Sequence, residues 1–179
     1  MKIVLETERL VLREFEPGDT EFILHLLNSP GWLEFIGDRN VRTVEAARQY
    51  LVDGPIKSYA SNGFGLFMVS LKTDHTPIGM CGLISRDELL DVDIGFAFLP
   101  EYTGKGYAYE IAAATLAYGM EVLRLPRIVA ITDPANDKSI RLLEKIGLRF
   151  SKKIRFGAKQ EELLMFSTSG QTASPTAKD

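Results

Sequence analysis

The stretch "LPEYTGKGYAYEIAAATLAYG", residues 99–119, sets two glycines two positions apart directly before an alanine-rich run. The run has the composition of a helix, and glycine costs roughly 1 kcal/mol against alanine in a helix interior. A chain that accepts this at Gly104 and Gly106 is clearing space for something to approach its backbone. A helix start offers N–H groups without partners and about half a positive charge. Glycines before it let a bulky anion reach those groups, which makes a phosphate site with few lysines. The plain alternative is a glycine turn between strand and helix, and the stretch alone does not choose. "TGKGYA" is not a Walker A loop, since it lacks the four-residue gap and the following Lys-Ser/Thr. A G-x-G-x-x-G dinucleotide fingerprint is also missing.

Working outward, residues 106–124 read as a long central helix. Upstream lie three apolar runs, "FGLFMVSL" (64–71), "PIGMCGLIS" (77–85) and "DVDIGFAFL" (91–99). Short turn-rich spacers join them, so they read as an antiparallel meander. Downstream, "RIVAIT" (127–132) is a further strand, and 136–146 a helix closed by Gly147 at its C′ position. "FSKKIRF" and "EELLMFS" form a final hairpin around Gly157. At the start of the chain, "RLVLREF" (9–15) alternates into a strand. Pro17, Gly18 and Asp19 then turn the chain, with Asp19 placed to cap a helix. Phe22, Ile23, Leu26 and Leu27 give that helix one apolar stripe, and it stops near Pro30. "GWLEFIGDR" (31–39) reads as a loop carrying large apolar groups, and "TVEAARQYLVDG" (43–54) as a helix with Thr43 as N-cap.

Composition bounds the function. The chain has 179 residues, 45% hydrophobic and 25% charged, enough for one α/β domain with a sizeable core. Its net charge of −3 provides no basic field for nucleic acid or a membrane surface. The N-terminal "MKIVLETERLVLREF" interrupts its apolar positions with charges, unlike a signal peptide or a membrane span. A single cysteine cannot form an internal disulfide and suits a reducing cytoplasm. Cys81, within "IGMCGL", reads as a small core residue. His25 and His75 have no ligand-spaced partners, so no metal site is expected. The tail "TSGQTASPTAKD" is Ser/Thr/Pro/Ala-rich, which gives one domain over 1–168 and a disordered tail over 169–179.

A second segment joins the first. "NDKSIRLLEKIGLRF" (136–150), taken with "IGFAFLPEYTGKGYAYEIA" (94–112), resembles the GNAT acetyltransferase superfamily and in particular its RimJ/RimL-like branch. The family pattern Gln/Arg-x-x-Gly-x-Gly/Ala is matched from Thr103 through Gly106 to Ala108. Its second pattern is matched at Asn136, Ser139, Leu142, Lys145 and Gly147. "TERLVLREFEPGD" and "PIGMCGLISRDELLDVDIGFAF" are also similar to this branch, so the resemblance runs from about residue 6 to 167. Two positions depart from it. Thr103 stands where Gln or Arg is usual, and Leu143 where many members carry a tyrosine general acid.

The resemblance implies a mixed α/β (α+β) fold, with a mostly antiparallel sheet of about seven strands and about four helices. That sheet splays between its fourth and fifth strands, 91–99 and 127–132. It implies acetyl-CoA as donor, no metal, and a primary amine acceptor, either a protein N-terminus or a small molecule. The pantetheine arm would lie along Phe96, Ala97 and Phe98, and the backbone of Gly104, Lys105, Gly106, Tyr107, Ala108 and Tyr109 would hold the pyrophosphate. Asn136 and Ser139 would contact the cofactor arm, and Ser139 would protonate the departing thiolate. Among Asp87, Glu88, Asp91 and Asp93, the acid preceding "IGFAF" is Asp93, which becomes the base or ammonium anchor. Strand alternation puts Asp91 on the same face. Trp32, Phe35 and Asp91 would wall the acceptor pocket, with core packing the competing role for Phe35 and Ile36. The competing function is a coenzyme-A-binding module without catalysis, supported by Leu143 alone. Monomer and homodimer are both compatible with this reading.

Overall fold

The computed structural model describes residues 1–169, and the expected tail lies outside the described residues apart from Ser169. Eight strands form one sheet in the order β1-β2-β3-β4-β5-β6-β8-β7. They are β1 (Ile3–Glu6), β2 (Leu10–Arg13), β3 (Leu66–Leu71), β4 (Pro77–Ile84), β5 (Val92–Phe98), β6 (Ile128–Thr132), β7 (Arg149–Phe156) and β8 (Glu161–Ser167). The sequence reading lacks β1, whose short "IVLE" pairs only with β2 at the edge and shows little burial alternation. Every pairing is antiparallel except β5 with β6, which is parallel.

That parallel pairing covers only Val92 with Ile128 and Asp93 with Val129. Beyond Asp93 the two strands part, while β5 stays paired with β4 as far as Phe98. The mixed sheet splayed between the 91–99 and 127–132 strands is therefore present.

The sheet is covered on both faces. One face carries α5 (Tyr107–Ala117), which packs against β2, β4 and β5. Its cluster includes Leu10, Phe67, Cys81, Ile94, Ile111, Ile128, Leu143 and Phe166. The other face carries α1 (Thr20–Leu27), α2 (Pro30–Phe35) and α3 (Val44–Leu51), packed through Phe15, Ile23, Leu26, Trp32, Leu51, Met68, Met80 and Leu99. The remaining helices are α4 (Lys57–Asn62) and α6 (Asp137–Lys145).

Three local expectations are corrected. Residues 31–39 are not a loop throughout, because Pro30 at a helix N1 position starts α2. The 43–54 helix does not end at Gly54. It continues through a π-helical turn (Val52–Ile56) containing Pro55 into α4, and ends at Gly63 in the left-handed conformation (φ 77°). The wider turn accommodates Pro55, which lacks the N–H an α-helix requires. Asp19 sits at the N-cap of α1 but makes no capping hydrogen bond. Its carboxylate takes both Nη groups of Arg13 at 2.8 Å and the Glu16 N–H at 2.8 Å. Thr43 does cap α3, accepting the Ala46 N–H at 3.1 Å. Cys81 is fully buried, its thiol pushed up to about 12 by burial, which accords with a core residue. Among the described residues no helix is long and apolar enough to cross a membrane.

Asp19 therefore answers to Arg13. The two side chains keep only 13% and 14% exposure, so Asp19→Asn, which retains a cap-competent oxygen, should still cost on the order of 2 kcal/mol. Urea denaturation checks this, and a cost near zero would restore the capping role.

Candidate functional site

The opening between β5 and β6 is a consequence of backbone pairing. The Leu99 N–H donates to the Ile78 carbonyl at 2.9 Å, so the main chain of Leu99 faces β4. Backbone polar groups alternate sides along an antiparallel pair, which turns those of Phe98 and Phe96 toward the gap and those of Ala97 toward β4. Of the three expected strand contacts, Phe96 and Phe98 therefore present main chain to the opening. Ala97 is paired with Met80 and packs its side chain among the α1–α3 cluster.

The same strand leads into the glycine turn. Gly104 and Gly106 have φ of 74° and 83°, the left-handed region that an L side chain rarely adopts. This explains both glycines, and Gly106 is the N-cap of α5 rather than part of its first turn. The first bond into the helix runs from the Glu110 N–H to the Gly106 carbonyl at 3.1 Å. The N–H groups of Tyr107, Ala108 and Tyr109 are left without helical partners. Lys105 is exposed at the tip of the turn, its Nζ 5.5 Å from the Tyr102 ring centroid. Tyr109 faces α6, where the Lys145 Nζ stands 4.3 Å over its ring. Thr103 donates its hydroxyl to the Pro100 carbonyl at 2.8 Å, which closes the short helical turn before the glycines.

Beyond the gap, α6 begins at Asn136. Its Oδ1 accepts the Ser139 N–H at 3.2 Å, so the side chain is the N-cap. Its amide nitrogen and the Ser139 hydroxyl make no hydrogen bond among the described residues, and both side chains are half-buried. Leu143 is 1% exposed and belongs to the α5-side core, so an apolar group fills the position where many family members carry tyrosine.

At the closed end of the gap stands Asp93. Its carboxylate is 2% exposed and takes the Arg86 Nε at 2.8 Å. Burial raises its pKa above the ordinary carboxylate value, and the Arg86 guanidinium opposes that rise. Ile94, Phe96 and Phe98 pack on the α5 side while Ala97 and Leu99 pack on the other, so alternation places Asp93 on the α1–α3 face. Tyr50 of α3 shares that face. Burial pushes its phenol pKa up, with Arg39 and Arg86 opposing, and sequence reasoning missed it because an aromatic in an amphipathic helix reads as core.

Asp91 is on the same face but committed elsewhere. It lies 3.6 Å from the Arg127 Nε, a buried nitrogen with no hydrogen-bond partner among the described residues. Asp87 and Glu88 are exposed. Trp32 is 5% exposed within the α1–α3 cluster, so it offers an acceptor no open face, and its indole N–H is buried without a partner among the described residues. Phe35 is half-buried and Ile36 is 41% exposed. No cluster of His, Cys, Asp and Glu able to hold a metal occurs among the described residues.

Three comparisons bear on this geometry. Residues 9–149 match the acetyltransferase (GNAT) domain family. The chain is 31% identical over 157 residues to the Bacillus subtilis protein YkkB, covering 86% of this chain and 90% of that one. It is 31% identical over 145 residues to the Bacillus subtilis uncharacterized N-acetyltransferase YnaD, covering 81% and 82%. The crystal structure of a GNAT-family acetyltransferase from Bacillus anthracis superposes with a TM-score of 0.75 at 28% identity, covering 93% of this chain and 97% of that one. With the splayed sheet and glycine-led helix start in place, these matches make the chain a member of the GNAT acetyltransferase family, and an acetyltransferase.

Proposed function

We propose that the protein transfers an acetyl group from acetyl-CoA to a primary amine by direct attack on the thioester. The observation that carries this reading is β5. Past Asp93 it loses its partner strand, and the main chain of Phe96 and Phe98 faces an opening that leads to the unpaired N–H groups of α5. An extended amide-bearing chain can pair with such an edge as another strand would. Asp93 to Phe98 spans ~17 Å of strand, room for the pantetheine arm to lie extended. The N–H groups at Gly104–Tyr109 would then hold the pyrophosphate, and the amide nitrogen of Asn136 would hold the arm from the far side.

The chemistry follows from the groups at the closed end. An alkylammonium must lose a proton before it can attack, since its pKa is near ~10. Asp93 takes that proton, directly or through one water, and a carboxylate held above its ordinary pKa is a better base than a solvated one. The amine nitrogen then bonds to the thioester carbon, and a β5 backbone N–H receives the oxyanion. The C–S bond breaks and the Ser139 hydroxyl gives the thiolate its proton, while the surplus proton of the attacking nitrogen returns through water to Ser139 and Asp93 releases its own to solvent. With Leu143 in the core, no tyrosine competes for that role at this position. The acceptor enters from the α1–α3 face, past Arg86 and Tyr50, and Phe35 walls it. The buried Trp32 supports that wall from behind. The acceptor is a protein N-terminal amine or a small-molecule amine. Trapped in its ion pair with Arg127, Asp91 steadies the closed end of the strand pair instead of binding the ammonium. The protein works in the cytoplasm as a monomer or homodimer, without metal, nucleic acid or membrane, and its domain spans residues 1–168.

Thioester consumption measured across an amine library tests the reaction class, and a library with no substrate alongside tight coenzyme A binding would favour a silent binding module. Given a substrate, Asp93→Asn should lower kcat by ~10²–10⁴-fold while acetyl-CoA affinity holds. The wild-type rate should fall as pH drops through the raised pKa of Asp93, because the base must be ionised. Arg86 opposes that pKa rise, so Arg86→Gln should move the acidic limb to higher pH. An unmoved limb would separate Asp93 from the proton transfer. Asn136→Ala should raise the KM for acetyl-CoA more than that for the amine, and cost about 0.5–2 kcal/mol through the lost cap. A melting shift with unchanged cofactor kinetics would leave Asn136 as a cap alone.

A further inference from the structure

One charged side chain from outside the motif segments reaches the glycine turn. Arg9, exposed just before β2, donates Nε to Glu110 Oε2 at 2.7 Å and Nη1 to the Lys105 carbonyl at 3.0 Å. Its guanidinium carbon lies 4.5 Å from the Tyr107 ring centroid, and a Cβ built on Gly106 would stand 3.2 Å from Nη2. Glu110, in the first turn of α5, is held in turn by the Thr7 hydroxyl at 2.6 Å and the Arg9 N–H at 2.8 Å. Its pKa is lowered: the hydrogen bonds from Thr7 and Arg9 and the charge of Arg9 outweigh the opposing effect of burial.

The consequence is directional. The Lys105 carbonyl and the Gly106 N–H belong to one planar peptide unit, and no cis bond is present among the described residues. The two groups therefore point opposite ways. Fixing the carbonyl on Arg9 therefore aims the Gly106 N–H away from the Arg9 guanidinium. Glycine at φ 83° has several alternative conformations open to it, so this orientation needs an external hold.

We propose that Arg9 is a positioning residue for the cofactor's pyrophosphate: through the Lys105 carbonyl and Glu110 it presets the Gly106 peptide to offer its N–H to the anion. This rests on the placement of coenzyme A given above. Arg9 itself lies on the opposite side of that peptide and does not touch the ligand.

Calorimetric titration with coenzyme A, set beside NMR titration with pantetheine, which lacks the pyrophosphate, tests the idea. Arg9→Ala should weaken coenzyme A binding by roughly tenfold, the equivalent of about 1.4 kcal/mol, and leave the pantetheine response unchanged. Arg9→Lys should not restore it, because one ammonium cannot reproduce the guanidinium fork to Glu110 and the carbonyl. Where Arg9→Ala does not fold, Glu110→Gln removes the charge that holds the fork and should weaken coenzyme A alone, by roughly threefold. Full rescue by lysine would show a simple screening charge, and equal losses for both probes would show a general structural role; either overturns the proposal. Unchanged coenzyme A affinity in these variants would overturn it while leaving the proposed function intact. Failure of the wild-type protein to bind coenzyme A would overturn both.

Discussion

The parting of β5 from β6 is the constraint on which the rest of the site depends. A buried strand ordinarily satisfies its N–H and C=O groups on both sides, because leaving them unpaired costs free energy comparable to a lost hydrogen bond. Here the parallel pairing stops after Asp93, yet β5 continues to Phe98 on the strength of its contact with β4. The separation persists because each strand is held independently. β6 is tied to β8 over Val129–Thr132, and α5 and α6 pack behind the two halves. A half-empty strand edge in the middle of a sheet is a standing demand for an extended polar ligand. The proposed cofactor arm meets that demand.

Electrostatics then divides the opening into two ends of opposite character. At the α5 end the positive potential comes from main-chain N–H groups at a helix terminus. At the closed end a nearly inaccessible carboxylate faces one guanidinium. Desolvation favours the protonated form of Asp93 and Arg86 favours the ionised one, and the net result is a pKa above the ordinary carboxylate value. Arg127, Asp91 and the Arg13–Asp19 pair are different in kind. They hold strand ends and helix starts in place and present no free charge to the opening.

Much of this was legible in the sequence because it is written in local chemistry. Gly104 and Gly106 have the left-handed φ that glycine tolerates, Gly147 closes α6 as expected (φ 107°), and the apolar runs 64–71, 77–85 and 91–99 with their short turn-rich spacers marked the meander. Asn136 belongs to a motif segment matched at family spacing, and its capping of α6 suits its place before an amphipathic helix. What escaped depends on distant partners. Asp19 looks like a cap until Arg13, six residues away, is seen to occupy it. Trp32 looks like a pocket wall until its burial within the α1–α3 cluster is seen. The helix through Gly54 and Pro55 contradicts local propensity and survives by a π turn whose Pro55 is buried. Arg9 and Glu110 are 101 residues apart, and no pattern in the chain announces their contact.

The central claim is that the gap between β5 and β6, with the turn at 104–109, is the cofactor site. Backbone amide NMR of the isotopically labelled protein titrated with coenzyme A tests it most directly. The account predicts that the largest shifts fall on Phe96, Phe98 and Gly104–Tyr109, with Asn136 and Ser139 following and the outer strand β7 silent. Shifts confined to β7 and β8, or none at saturating coenzyme A, would contradict it.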